Sequence, residues 1–164
     1  MTEASVSTPP SFGASTTTRR TAPSTTTAGT NQQLLAAVRG FWDLYLELGA
    51  RTGPFNTSAT RTRLRQRTSG RELTKLYDFL HSNAVAGYAV KGTIDLAPNI
   101  VSITGTTALV RDCYDDKTGL YRVGDGKRID TKDPLRHKVL MIFKRGGGVW
   151  KVSAIKNEGL GCSV

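Results

Sequence analysis

The chain has 164 residues, 38% of them hydrophobic, and a formal net charge of +10. That length suits one domain with a tail, and no run of 18 or more apolar residues is present to cross a membrane as a helix. Met1 is not followed by a charged stretch and an apolar core of the kind that directs export, so an extracytoplasmic address requires such a segment ahead of Met1, and a cytoplasmic one follows without it.

Residues 1–30 contain 5 Ser, 10 Thr and 3 Pro, with Val6 and Phe12 the large apolar side chains among them. Such a segment buries too little surface to offset its ordering entropy. It is expected to be a disordered tail or linker, with one domain over 31–164.

A helix capped by Thr30 or Asn31 is expected next. Leu34, Leu35, Val38, Phe41, Trp42, Tyr45 and Leu48 recur at helical spacing, and Gly49 stands where such a helix ends. Gly53-Pro54 is a loop. A second helix starting near Thr57 or Ser58 carries Leu64 among basic residues. Ser69 and Glu72 have the spacing of a capping box for a third, whose apolar positions are Leu73, Leu76, Tyr77 and Leu80.

From Tyr88 the period becomes strand-like. Tyr88, Val90 and Thr93-Ile94 read as a first strand, Ile100–Thr104 as a second and Thr106–Cys113 as a third, with turns at Pro98-Asn99 and Gly105. Residues 115–134 read as a long loop or a weak hairpin around Leu120–Val123. Lys138–Lys144 encloses an apolar run expected to be buried on both faces. The three glycines 146–148 make a hairpin turn into Val149–Ile155, with Trp150, Val152 and Ala154 expected on one face. Helices followed by antiparallel strands give an α+β protein. A helix apolar along so broad a stripe must lie on the sheet, and a sheet curled around it, with Trp42 and Tyr45 filling the cone, is the natural solution.

The positive charge concentrates at Arg61, Arg63, Arg65, Arg67, Arg71 and neighbouring cations. Such a face attracts an anionic envelope surface, an acidic protein or nucleic acid, or is simply a solvated helix surface. No aromatic residues interleave with these arginines, so specific nucleic-acid binding is not expected. Two cysteines and two distant histidines lack metal-ligand spacing, and no metal or cofactor is expected. Gly124-Asp125-Gly126 and the glycines 146–148 do not link a strand to a helix, as a phosphate-binding loop must.

The order of elements resembles a known group. Ile100-Val101-Ser102, then Thr106-Thr107-Ala108-Leu109-Val110-Arg111-Asp112-Cys113 followed by Asp115-Asp116, and the ending Val149-Trp150-Lys151-Val152 … Gly159-Leu160-Gly161-Cys162, are similar to actinobacterial secreted or lipid-anchored proteins of the NTF2-like (SnoaL-like, cystatin-like) superfamily. The resemblance covers residues 31–164 and implies an NTF2-like cone, N-terminal helices packed in the concavity of a curved antiparallel sheet. With the cysteine count it also implies a Cys113–Cys162 disulfide; two free thiols in a cytosolic protein are the other reading.

Enzymes of that superfamily work inside the cone. Counterparts here are Asp43, Tyr45, Tyr77, His81, Tyr88, Asp95, Arg111, Asp112 and Tyr114. Asp112 would be the base and Tyr45 and Tyr88 the oxyanion donors of an isomerase or hydratase-like enzyme. The alternative gives Asp112 a structural role, paired with Arg111, Arg128 or a loop amide. Trp42, Tyr45, Tyr77 and Tyr88 would line a ligand pocket or simply fill the core. His81 reads as a surface or capping residue, and His137 has basic neighbours and no acidic one in sequence. The leading expectation is a non-enzymatic binding or accessory module of the bacterial cell envelope, holding a small apolar ligand or docking a protein partner. The rivals are the enzyme and an assembly component of a conjugation or secretion apparatus. Partners would be a protein or an anionic envelope surface, with a homodimer through the sheet as a further arrangement.

Overall fold

The computed structural model describes residues 25–131 and 135–162. The expected disordered tail lies outside these residues up to position 24. Its last residues belong to helix α1 (Thr25–Gly49), which starts five positions before the expected Thr30 cap. One more turn of Thr and Ala adds little cost once the apolar stripe has docked.

Helices α2 (Thr57–Leu64) and α3 (Gly70–Val85) follow, then strands β1 (Tyr88–Lys91), β2 (Ile94–Asp95), β3 (Pro98–Thr104), β4 (Thr107–Asp116), β5 (Gly119–Arg122), β6 (Leu135–Gly146) and β7 (Val149–Leu160). Helix α2 starts at Thr57, as expected, and the Asn56 side chain caps it, accepting from the Ala59 amide at 2.8 Å. The capping box of α3 does not form. Ser69 makes no side-chain cap, and Glu72 turns inward to accept from the Ile155 amide at 3.1 Å.

The main sheet runs β2/β3–β4–β6–β7, antiparallel throughout, and β1 pairs with β5 as a separate ribbon. The segment read as a loop or weak hairpin is therefore partly a strand, because β5 finds its partner in β1, remote in sequence. Bulges interrupt the register between Ile100 and Ser102, between Lys138 and Val139, and between Ile142 and Phe143. Each adds a local bend and twist, and together they curl the sheet around α1. Two expectations are corrected here, one of them by the third bulge. It moves Ala154 off the face of Trp150 and Val152 and puts Ile155 against the core instead. On β6, Val139, Met141 and Phe143 are buried, while Leu140 and Ile142 face outward, half-buried; the run is apolar on both sides without being buried on both.

The core joins Leu34, Val38, Phe41, Trp42, Leu44 and Leu48 of α1 to Leu64 of α2, Leu76, Tyr77 and Leu80 of α3, and the inner residues of β4, β6 and β7. Gly49 is required where α1 crosses β1: a Cβ there would meet the Val90 side chain at 2.9 Å. The free edge of β7 is covered by the α2–α3 turn, with the Ser69 amide donating to Val152 O and the Val152 amide to Arg67 O, both at 2.9 Å. This protects an edge that would otherwise template aggregation.

Candidate functional site

Alternation along β4 places Ala108, Val110, Asp112, Tyr114 and Asp116 on the inner face, and pairing with β6 sets Tyr114 opposite His137 and Asp112 opposite Val139. The concavity thus carries polar groups toward the end of β4 and hydrocarbon toward its start. Trp42 enters from α1, edge-on to Phe41 (5.0 Å) and Tyr45 (5.9 Å) and tilted on Tyr114 at 4.6 Å; the His137 ring stacks on the far side of Tyr114 at 5.2 Å. These rings plug the cone.

Asp112 sits beneath the plug with no solvent exposure. One carboxylate oxygen accepts from the Ala97 amide at 3.0 Å, which is the loop-amide role weighed for it; Arg111 instead bonds Glu158 and Arg128 bonds Asp130. Burial pushes the Asp112 carboxyl above its ordinary value, and the amides of Ala97 and Cys113 and the nearby Trp42 indole N–H pull the other way. That indole is close enough to favour the charge but falls outside hydrogen-bond geometry, so Nε1 of Trp42 and Oδ2 of Asp112 each lack a hydrogen bond among the described residues.

Nearer the rim, Asp116 accepts from the Thr118 amide (2.9 Å) and hydroxyl (2.6 Å). His137 Nε2 lies 4.0 Å from the other Asp116 oxygen. The sequence hid this pair because the two residues are 21 positions apart and meet only through the β4–β6 register. Burial, then the Asp116 charge, pushes the Tyr45 hydroxyl up to about 12, opposed by a hydrogen bond with Thr118. Burial, then Asp116, Tyr45 and Asp112, raises Tyr114 as well. Both phenols are therefore neutral near pH 7 and suited to hydrogen bonding.

The four aromatics expected to line one pocket are dispersed. Tyr45 lines a cleft of about 320 Å³ at the rim with Phe79, Val90, Asp116, Thr118 and Leu120. Tyr88 lines a separate pocket of about 30 Å³ with Leu48, Phe55 and Asn83. Tyr77 is 8% exposed and packs between α2 and α3, and Trp42 is core. Asp112 lines none of these, and Tyr88 does not accompany it, so the base and oxyanion donors do not assemble as one constellation. Packing separates them: Tyr88 begins β1, which belongs to the second ribbon, not the main sheet. Asp116 and Thr118, which do shape the rim, went unrecognised because they fall in a segment that reads as hydrophilic turn. His81 is exposed and stacks on Tyr77 at 5.8 Å.

Cys113 and Cys162 form a disulfide with Cα atoms 6.0 Å apart. It joins β4 to the chain just beyond β7 across the intervening β6, on the outer side of the sheet, and suits an oxidising compartment. The outer face also carries a row of half-buried apolar residues: Leu109 pairs with Ile142, which pairs with Ala154. Flanking rows are basic, with Arg111, Lys138 and Lys156 on one side and Lys144 and Lys151 on the other.

The arginines of α2, the α2–α3 turn and the start of α3 divide into two sets. Arg63 bonds Glu47 at 2.5 Å, and Arg61 lies over the Tyr77 ring at 4.1 Å. Arg65, Arg67 and Arg71 are exposed and make no ion pair among the described residues. Among those residues there is no group of three or more His, Cys, Asp or Glu placed to hold a metal ion, and no helix long and apolar enough to cross a membrane.

No protein-family model matches the chain, and no curated protein matches it significantly. Solved structures do. The intermembrane space region of the chloroplast protein ARC6 aligns with a TM-score of 0.58 at 17% identity, over 77% of this chain and 94% of that one. An NTF2 design (TM-score 0.43, 11% identity) covers 78% of this chain and 98% of its own. A domain of unknown function with a cystatin-like fold from Nostoc punctiforme PCC 73102 (TM-score 0.41, 10% identity) covers 82% of this chain and 78% of its own. The strand pairing and the bulges make the fold the α+β cone that the resemblance implied: N-terminal helices held in the concavity of a bent antiparallel sheet.

Proposed function

We propose that the protein is a non-enzymatic accessory module of a bacterial cell envelope that docks a protein partner on the outer face of its sheet. The observation that carries this reading is the plugged cone. The one strongly buried carboxylate among the inner residues of β4 that the sequence offers as a base, Asp112, is sealed from solvent under Trp42 and Tyr114. A general base must reach the proton it removes, and Asp112 lines neither the rim cleft beside Tyr45 nor the pocket beside Tyr88. A rim cleft remains for a small ligand beside Tyr45, but its polar groups are hydrogen-bonding partners and form no nucleophile–base pair.

The disulfide supports an oxidising location, and the Leu109–Ile142–Ala154 row supplies an apolar strip between basic margins, which is the composition of a docking surface with a charged rim. A second copy of the chain is one occupant of that strip. A photo-crosslinking residue at Ile142, activated in intact source cells, is expected to give one discrete adduct, and the same residue at Lys127, exposed and outside the main sheet, none. A smear of equal yield from both positions, or a purified protein carrying a stoichiometric small-molecule substrate that it turns over, would overturn the reading.

A further inference from the structure

The face formed by α2, the α2–α3 turn and the start of α3 carries six cations between Thr57 and Lys75 and a single acid, Glu72. That acid is turned into the fold, 8% exposed and bonded to the Ile155 amide. The surface is therefore one-signed. Two of the six are already engaged, Arg63 with Glu47 and Arg61 on Tyr77. The other four, Arg65, Arg67, Arg71 and Lys75, are exposed and make no ion pair among the described residues. Arg67 lies across α1 at Gly40, where a Cβ would come within 3.0 Å of its guanidinium carbon. It shares a shallow groove there with Arg39, another exposed cation, and with one acid, Asp43. The other exposed acids nearby are Asp78, further along α3, and Glu47 of α1, already bonded to Arg63 and Arg51.

A solvated surface that serves only solubility mixes both signs. This one collects like charges, which repel one another in the free protein and gain most against a dense anionic surface. The occupant must be polyanionic and broad rather than a single phosphate, because the cations are spread over two helices and a turn and form no enclosed pocket. Nucleic acid fits poorly: the patch offers no aromatic ring free for base stacking, since Tyr77 is buried under Arg61, and the disulfide indicates a compartment without nucleic acid.

We propose that Arg65, Arg67, Arg71 and Lys75, with Arg39, dock the domain on the anionic phospholipid headgroups of a membrane surface. This surface is distinct from the outer sheet face, so the domain can rest on a membrane while the sheet faces a partner, and either interaction can fail without the other.

The test is flotation of the purified, oxidised full chain with vesicles of zwitterionic phosphatidylcholine alone, or with about one-third phosphatidylglycerol added, over a salt series. Binding is expected with the anionic vesicles only, falling as salt rises. Each juxtamembrane cation contributes enough that R65Q/R67Q/R71Q should lower the partition coefficient roughly a hundred-fold. K91E/K127Q, which removes the same three charges elsewhere, should lower it by no more than about threefold, as screening within a Debye length predicts. Should the triple variant not fold, hydrogen exchange on the wild-type chain gives the same answer: protection by anionic vesicles is expected within residues 57–75. Equal loss from both variants, protection at the sheet instead, no vesicle binding, or tighter binding to soluble DNA or polyphosphate at equal phosphate concentration would each overturn the proposal.

Discussion

Removing the disulfide with Cys113→Ser and Cys162→Ser tests how the sheet is held. The bridge closes a loop with a sequence separation of 49. In the chain-entropy treatment that loop is worth about 4 kcal/mol at 25 °C, from restriction of the unfolded chain. Native contacts change little, because β7 remains paired with β6 from Gly146↔Val149 to His137↔Leu160 and the Gly161 amide still donates to Arg136 O. The bulk of the loss should therefore appear as global stability. For a domain of this size, with about 3 °C per kcal/mol, the melting midpoint should fall by roughly 12 °C.

Circular dichroism melts of wild type, wild type with reductant and the double serine variant give the comparison. The two thiol-free or reduced samples should coincide. Native-state hydrogen exchange at 20 °C should show the amides of Val149–Asn157 speeding up in step with the fall in global stability, and additional local opening confined to Gly159–Cys162. A midpoint that moves by less than about 2 °C would refute the reasoning. It would mean either that the unfolded chain is already compact enough for the cross-link to restrict little, or that the two cysteines do not pair in solution.

Further outcomes follow from the core and the rim. The Asp112 carboxyl is raised by burial, so the folded state keeps that proton to higher pH than the unfolded chain does. Stability therefore falls as pH rises from the ordinary aspartate value through the raised one. Urea titrations between pH 4 and 8 should show this slope in wild type and its loss in Asp112→Asn; a wild type that loses stability relative to the variant on acidification would contradict it. Tyr45, pushed up to about 12, should titrate late in ultraviolet difference spectra, a step absent from Tyr45→Phe, and its folding contribution should disappear as pH rises from 10 through 12. Gly49→Ala drives a methyl into Val90 and should cost about 1–3 kcal/mol; with Val90→Ala added, chemical denaturation should show a combined loss smaller than the sum, because one contact is shared.

Local and periodic features are legible in the sequence alone. The helical spacing from Leu34 to Leu48, the turn at Gly147 and Gly148, both with positive φ, and the switch to strand period at Tyr88 are consequences of side-chain repeat and backbone sterics within a few residues. They establish an α+β chain and identify its main elements. What lay beyond reach depended on which remote segments touch. The meeting of Asp116 with His137 needs the β4–β6 register. The pairing of β5 with β1 gives a partner remote in sequence to a stretch that reads alone as no more than a loop or a weak hairpin. The bulge that moves Ile155 inward in place of Ala154 answers to the curvature of the whole sheet. Burial of Asp112 under Trp42, which separates a sealed core from an open catalytic pocket, arises only when α1 is laid in the concavity. A one-dimensional pattern specifies which faces are apolar; the distances that decide chemistry are set by the long-range pairings that bring those faces together.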